Sequence, residues 1–304
     1  MKKFSEEEIA QFVSNQLFNE SIVLGRDDKI PKISIITLSL NQGRYLEKTI
    51  LSVLNQNYPN LEYIVIDGGS QDDSVNIIKK YQKYITYWVS ETDKGQSDGL
   101  NKGFNKATGD IVAYINSDDV YMPGILEKVA REFMEKGTID VLYGNKLVLD
   151  PEGKILSERR LLRWMPKISI MGFFSRRGYW VYLDAAFWKR EFFVKTNGFD
   201  LSLKNTMDVD YFLQLVKCKA RFHFMREYFI GFRSHRDSKT ILYGDERNPQ
   251  ETQTLFEKYY PYKRPMNKLT VCVLRIFWGC MYIVQGDGLY LFKLYNSKRR
   301  KTNA

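Results

Sequence analysis

Gly109-Asp110-Ile111-Val112-Ala113-Tyr114-Ile115-Asn116-Ser117-Asp118-Asp119 runs from a turn through an apolar stretch into two adjacent carboxylates. A short, largely β-branched run bounded by a Gly-Asp turn predicts a buried strand over 111–115. Two neighbouring carboxylates at its carboxyl end repel each other unless something positive lies between them. A hard divalent cation carrying a phosphorylated ligand meets that need, because Mg²⁺ and Mn²⁺ take carboxylate and phosphate oxygens together. Taken alone, Ser117-Asp118-Asp119 fits a solvated turn or a helix N-cap equally well, so its meaning depends on what surrounds it.

Upstream, strand and helix alternate. The patterns predict strands over 33–38, 63–66 and 85–89, with helices over 44–57, 74–83 and 98–106. Strands separated by helices of this length build βαβ units and a parallel sheet, whose ligands bind beyond the carboxyl ends of the strands. Those ends carry Leu40-Asn41, Asp67-Gly68-Gly69-Ser70, Glu91-Thr92-Asp93-Lys94-Gly95-Gln96 and Asn116-Ser117-Asp118-Asp119. The arrangement is that of a nucleotide site, yet no Gly-x-Gly-x-x-Gly follows the first strand and no Walker loop occurs. Without a glycine-rich cradle, the charge of a diphosphate falls to a metal near Asp118 and Asp119.

Taken in order, 33–41, Ser52-Val53-Leu54-Asn55-Gln56, Asp67-Gly68-Gly69-Ser70, 93–103 and Asn116-Ser117-Asp118-Asp119 resemble the family 2 glycosyltransferases with the GT-A fold, over about 31–240. The resemblance implies an α/β fold with a Rossmann-like nucleotide-binding half and a mixed sheet. It also implies inverting transfer from a nucleotide-diphosphate sugar, usually UDP-linked, with Mn²⁺ or Mg²⁺. By that match Asp118 is the metal-binding carboxylate, and Asn116 stands where many relatives have the first aspartate of an Asp-x-Asp motif. Ser39, Leu40, Asn41 and Asp67 would flank the nucleoside, with Asp93, Gln96, Asn101, Asn116 and Ser117 on the same nucleotide-sugar side. Relatives often have a second acid where this chain has Gly68.

An inverting displacement needs a base to take the proton of the attacking hydroxyl. Met207-Asp208-Val209-Asp210-Tyr211-Phe212-Leu213 resembles the family's acceptor-side motif, which makes Asp208 the base and Asp210 a supporting charge. Asp184 and Trp188, in Asp184-Ala185-Ala186-Phe187-Trp188, would face the acceptor. Of the two histidines, His223 lies in a strand-like alternation and reads as structural. His235 lies in a polar loop resembling the family's terminal loop, and a neutral imidazole there could complete the metal's coordination beside Asp118. Arg233, Arg236 and Lys239 are candidates for phosphate contact.

The net charge of +10 is concentrated at one end: from Lys258 onward there are ten cations against Asp287 alone. Those cations are not interleaved with aromatic residues as a base-stacking platform requires, which argues against nucleic acid. The stretch 269–284 is apolar on nearly every helical face but shorter than the roughly 18–20 residues of a membrane span, and Arg275 interrupts it. It fits either an interfacial segment on an anionic leaflet or a buried helix pair followed by a basic tail. At the other end, Ser5 to Glu8 forms a capping box before Ile9, Phe12, Val13 and Leu17 at helical spacing. Three cysteines without metal-ligand spacing, and no recognisable signal peptide, point to a reducing compartment. The expected layout is a helical extension (1–30), a catalytic domain (31–240, divided near 119/120 into donor and acceptor halves) and a basic, apolar extension (241–304). The protein is expected in the cytoplasm, peripheral on the inner face of the membrane, with a glycan or lipid-linked acceptor. A sugar nucleotidyltransferase would need a basic, Gly-rich first loop, where Ser39-Leu40-Asn41-Gln42-Gly43-Arg44 has one glycine and one cation. A non-catalytic carbohydrate-binding protein would have no use for Asp118 and Asp208 together.

Overall fold

The computed structural model describes residues 1–163, 170, 181–238, 249–259, 268–293 and 295. Lys239 and the basic cluster 298–301 lie outside them. The apolar runs become β1 (Ile33–Ser39), β2 (Leu61–Asp67), β3 (Tyr87–Ser90) and β4 (Ile111–Asn116). Between them lie α3 (Gly43–Leu54), α4 (Ser74–Tyr81) and α5 (Gln96–Lys106). Helix α3 ends earlier than its apolar pattern predicts, because Asn57 has a positive φ of 49° and the chain turns. Two short helices, α1 (Glu6–Ser14) and α2 (Glu20–Val23), precede this unit.

Residues 120–233 supply β5 (Val120–Tyr121), α6 (Ile125–Lys136), β6 (Val141–Leu149), β7 (Ile155–Arg159), β8 (Ala186–Lys189), α7 (Arg190–Lys195), α8 (Met207–Lys217) and β9 (Phe222–Arg233). All strands join one nine-stranded sheet in the order β3-β2-β1-β4-β8-β6-β9-β5, with β7 pairing on β6. Strands β1 to β4 run parallel, and β8 enters antiparallel between β4 and β6. Apolar clusters lie on both faces of the sheet, as expected for strands that read as continuous hydrophobic runs.

The capping box at Ser5 and Glu8 forms in both directions. Helix α1 does not stand apart: Phe4, Ile9 and Val13 pack with Val120, Met122, Leu147, Leu149 and Tyr228. Asn55 of the α3 C-cap binds the carbonyls of Phe12 and Asn15 and accepts from the Leu17 amide.

Beyond residue 240, α9 (Pro249–Tyr259) buries Leu255 in the same cluster as Tyr211, Phe212 and Leu215. The packed domain therefore extends past the boundary expected from the sequence. Helix α10 (Lys268–Val284) divides the two readings of its segment. Leu274 and Trp278 pack against Leu162, while Leu269, Val273, Ile276 and Ile283 are each more than half exposed. Asp287 ties the helix end down through Arg160 at 2.5 Å and Arg226 at 2.8 Å. No helix among the described residues is long and apolar enough to cross a membrane.

Candidate active site

Strand register brings the polar turns together. Ser39 pairs with Asp67, Asp67 with Ser90, and Leu38 with Asn116, so the four strand ends share one edge of the sheet. Asn41 adopts φ of 52°, a conformation that asparagine tolerates better than most residues. There it couples two turns: its amide donates to Ser70 Oγ, and its side-chain oxygen accepts from the Gln71 amide. Leu40 is exposed beside it, and Ser39 is buried.

Asp67 is fully buried, and its carboxylate accepts from the Gly69 and Ser70 amides and from the Ser70 and Ser90 hydroxyls. Contrary to the sequence reading, it builds the turn and does not face a nucleoside. Asp93 accepts from the Gly95 amide at 2.8 Å. A Cβ at Gly68 would lie 2.8 Å from its Oδ2, so glycine there makes room for this acid.

The carboxylates at the end of β4 take different environments. Thr49 Oγ1 of α3 donates to the carbonyls of Ser117 and Asp119 and pins the turn, in which Ser117 is buried. Asp119 is wholly enclosed; it accepts from the Arg233 amide at 2.9 Å, and Asn116 Nδ2 reaches its other oxygen at 3.3 Å. Burial, with Asp118 and Asp184 nearby, pushes its carboxyl well above the ordinary range. The repulsion expected between the pair therefore persists, and together with burial it favours the protonated form of Asp119. Asp118 Oδ2 instead meets His235 Nε2 at 3.0 Å, with the imidazole tilted against the Tyr45 ring and the Arg233 guanidinium on the Asp118 carbonyl. Gln96 Nε2 donates to Asn116 Oδ1 and completes this rim.

The carboxylate of Asp118 and the imidazole of His235 suit Mn²⁺ in donor type and spacing, whereas Mg²⁺ would rely on Asp118 and further oxygen ligands. Adjacent ligands on an octahedral ion with bonds of about 2.1 Å lie about 3 Å apart, which is the separation the two side chains already have. Among the described residues, no group of three or more acidic, His or Cys side chains converges to hold an ion, so further coordination would come from ligand oxygens and water.

Asp208 lies in the first turn of α8 and accepts from the Val209 amide at 2.8 Å. Burial, with Asp184 adding to it and Lys146 opposing, raises its carboxyl from 3.8 to about 6. Asp184 accepts from Lys146 Nζ at 3.0 and 2.7 Å, and both side chains are largely buried. Lys146, between the rings of Tyr182 and Phe232, escaped the sequence reading although a lysine inside the apolar strand β6 is a visible signal. Trp188 does not face an acceptor: β8 lies inside the sheet, and the indole is fully buried near Phe104 and Tyr211. Asn101 is likewise engaged by the fold. Its amide exchanges hydrogen bonds with the backbone N and O of Phe199, fastening α5 to the loop before α8. His223 sits against Lys136 and Glu132 on β9, away from the cleft, as a structural residue.

A glycosyl transferase family 2 model matches residues 34–193, just over half of the chain. A Campylobacter jejuni GalNAc(5)-diNAcBac-PP-undecaprenol beta-1,3-glucosyltransferase is 33% identical over 42% of this chain and 42% of its own length. A putative teichuronic acid biosynthesis glycosyltransferase of Bacillus subtilis is 35% identical over 39% of this chain and 48% of its own. The chain spans less than half the length of the first curated relatives it matches. The crystal structure of residues 1–349 of S. aureus TarS in complex with UDP-GlcNAc superposes with a TM-score of 0.61 at 15% identity. That likeness covers 83% of this chain and 72% of the other, and it shows the fold. With the mixed sheet and its aligned polar strand ends, these matches place the chain in glycosyl transferase family 2, with a GT-A fold.

Proposed function

We propose that the chain transfers a sugar, with inversion, from a UDP-linked donor to a hydroxyl of a glycan or lipid-linked acceptor at the cytoplasmic face of a membrane. The observation that carries this reading is the Asp118–His235 pair just beyond the end of β4, together with Asp208, whose carboxyl is raised by burial and by Asp184. Asp118 and His235 would hold Mn²⁺ or Mg²⁺, whose chemistry is to neutralise the departing diphosphate. Asn41, Asp93, Gln96 and Asn116 line the donor rim, and Asp208 takes the acceptor proton. Support for the donor comes from the UDP-GlcNAc complex of the structurally similar TarS. Support for a polyprenyl-linked acceptor comes from the Campylobacter relative's own substrate. The membrane surface rests on the exposed apolar side of α10 and the cations around it.

A thermal-shift panel of UDP-glucose, UDP-galactose, UDP-GlcNAc and UDP-GalNAc, with and without Mn²⁺, tests the donor and metal together, because a ligand of the folded state raises its melting temperature. At least one should stabilise the protein in a Mn²⁺-dependent way, and Asp118→Asn should abolish that dependence. If Asp118→Asn retains the full Mn²⁺-dependent shift, the metal assignment is wrong. If no sugar nucleotide shifts the wild type, the donor reading fails.

A further inference from the structure

Helix α9 lies outside the matched family region, yet it holds both flanks of Asp208. Thr206, the N-cap of α8, makes no side-chain cap for its own helix. Its hydroxyl and amide both donate to Glu251 Oε2 at 2.9 Å. The same carboxylate accepts from the amides of Lys204 at 3.1 Å and Asn205 at 3.0 Å. A negative charge beside exposed amides at a helix N-terminus is favoured by the helix dipole. On the other flank, Asp210 is fully buried, and its Oδ1 accepts from Lys258 Nζ and Tyr259 Oη, each at 2.8 Å. Gln214 Nε2 takes its other oxygen at 2.8 Å. Glu251, Leu255, Lys258 and Tyr259 recur at the spacing of one helical face, with Leu255 buried between the polar anchors.

We propose that α9 is a positioning element for the transfer reaction: Glu251 on one side and Lys258 with Tyr259 on the other fix the first turn of α8 and thereby aim the Asp208 carboxylate. The inference rests on Asp208 being the base. The described hydrogen bond to Asp208 comes from the adjacent Val209 amide, so its direction is set by how that turn is held. Lys258 is partly exposed, so removing its charge need not unfold the helix.

The test uses the full chain and the sugar nucleotide that the thermal-shift panel selects, measuring UDP release with water as nucleophile. Lys258→Met and Glu251→Gln should each lower kcat about 10- to 100-fold, the scale of a small misplacement, with donor KM unchanged. Lys258→Arg should restore most of the rate, and Glu257→Gln, an exposed change on the same helix, should leave it alone. Asp208→Asn is measured beside them. If Asp208→Asn is inactive while Lys258→Met and Glu251→Gln turn over at the wild-type rate, the positioning role is overturned and the base stands. Near-normal turnover by Asp208→Asn overturns both. A loss that Lys258→Arg does not restore, with donor KM and melting temperature changing in step, reduces α9 to ordinary packing.

Discussion

Between Asp118 and Asp119 the backbone turns one carboxylate toward His235 and encloses the other with the Arg233 amide. A comparable separation of environments applies to Asp208, whose carboxyl is raised to about 6 by burial and by Asp184, against the pull of Lys146. A base works only as the anion, so the rate should climb with pH up to about 6 and level off above it. Asp184→Asn removes the neighbouring negative charge and should move that acidic limb to lower pH; a pH profile of kcat/KM checks both. A limb that stays near 6 when Asp184 is neutralised would contradict the electrostatic account. At this scale the sequence singled out Asp118 and His235, which the fold brings within 3.0 Å of each other, and Asp208, which it sets in the first turn of α8. It misled where a polar side chain is used by the fold. Asp67 closes its own turn, Asn101 fastens a loop, and Trp188 fills the sheet interior. Those roles depend on which backbone groups lie nearby, and nearest-in-space partners such as Phe199 for Asn101 are far apart in sequence.

The strands and helices of the donor half were legible because their hydrophobic periods are strong and bounded by polar turns. Helix α9 and its anchors were not, since a mixed-charge segment after the last recognisable motif carries no sign of what it packs against. Helix α10 was ambiguous for a physical reason: its apolar residues surround the helix, and only packing reveals that Leu274 and Trp278 face the domain. The exposed stripe of Leu269, Val273, Ile276 and Ile283, with exposed Arg275 and Lys293 nearby, suits an interfacial helix on an anionic leaflet. Full-length protein should co-sediment with vesicles of phosphatidylglycerol or cardiolipin at low salt and release as salt rises, each basic group contributing on the order of 1 kcal/mol. Ile276→Glu with Ile283→Glu should release it with the fold intact. Deleting the helix is the poorer test, because it would also strip the cover from Leu162 and the Tyr282 hydroxyl from the Arg160 carbonyl. Protein that ignores such vesicles at low salt would rule out the membrane surface.

At the scale of the molecule, the sheet order gathers the polar residues: parallel register aligns the turns after β1 to β4, and β8 runs the other way between β4 and β6 with Asp184 just ahead of it. A parallel nucleotide-binding half was readable from alternation alone. The insertion of β8 was not, because a short strand reveals its neighbours only through pairings made across the whole chain. The docking of α1 has a further consequence, for synthesis. Phe4, Ile9 and Val13 share a cluster with Val120, Met122, Leu147, Leu149 and Tyr228, so α1 cannot complete the burial of its apolar side until β9 has emerged. At about 5–20 residues per second, that delay is on the order of 10–45 s, during which an amphipathic N-terminal helix is open to chaperones or to aggregation. Nascent chains stalled before β9 should remain sensitive to protease at residues 1–14, and chains stalled well beyond it should be protected.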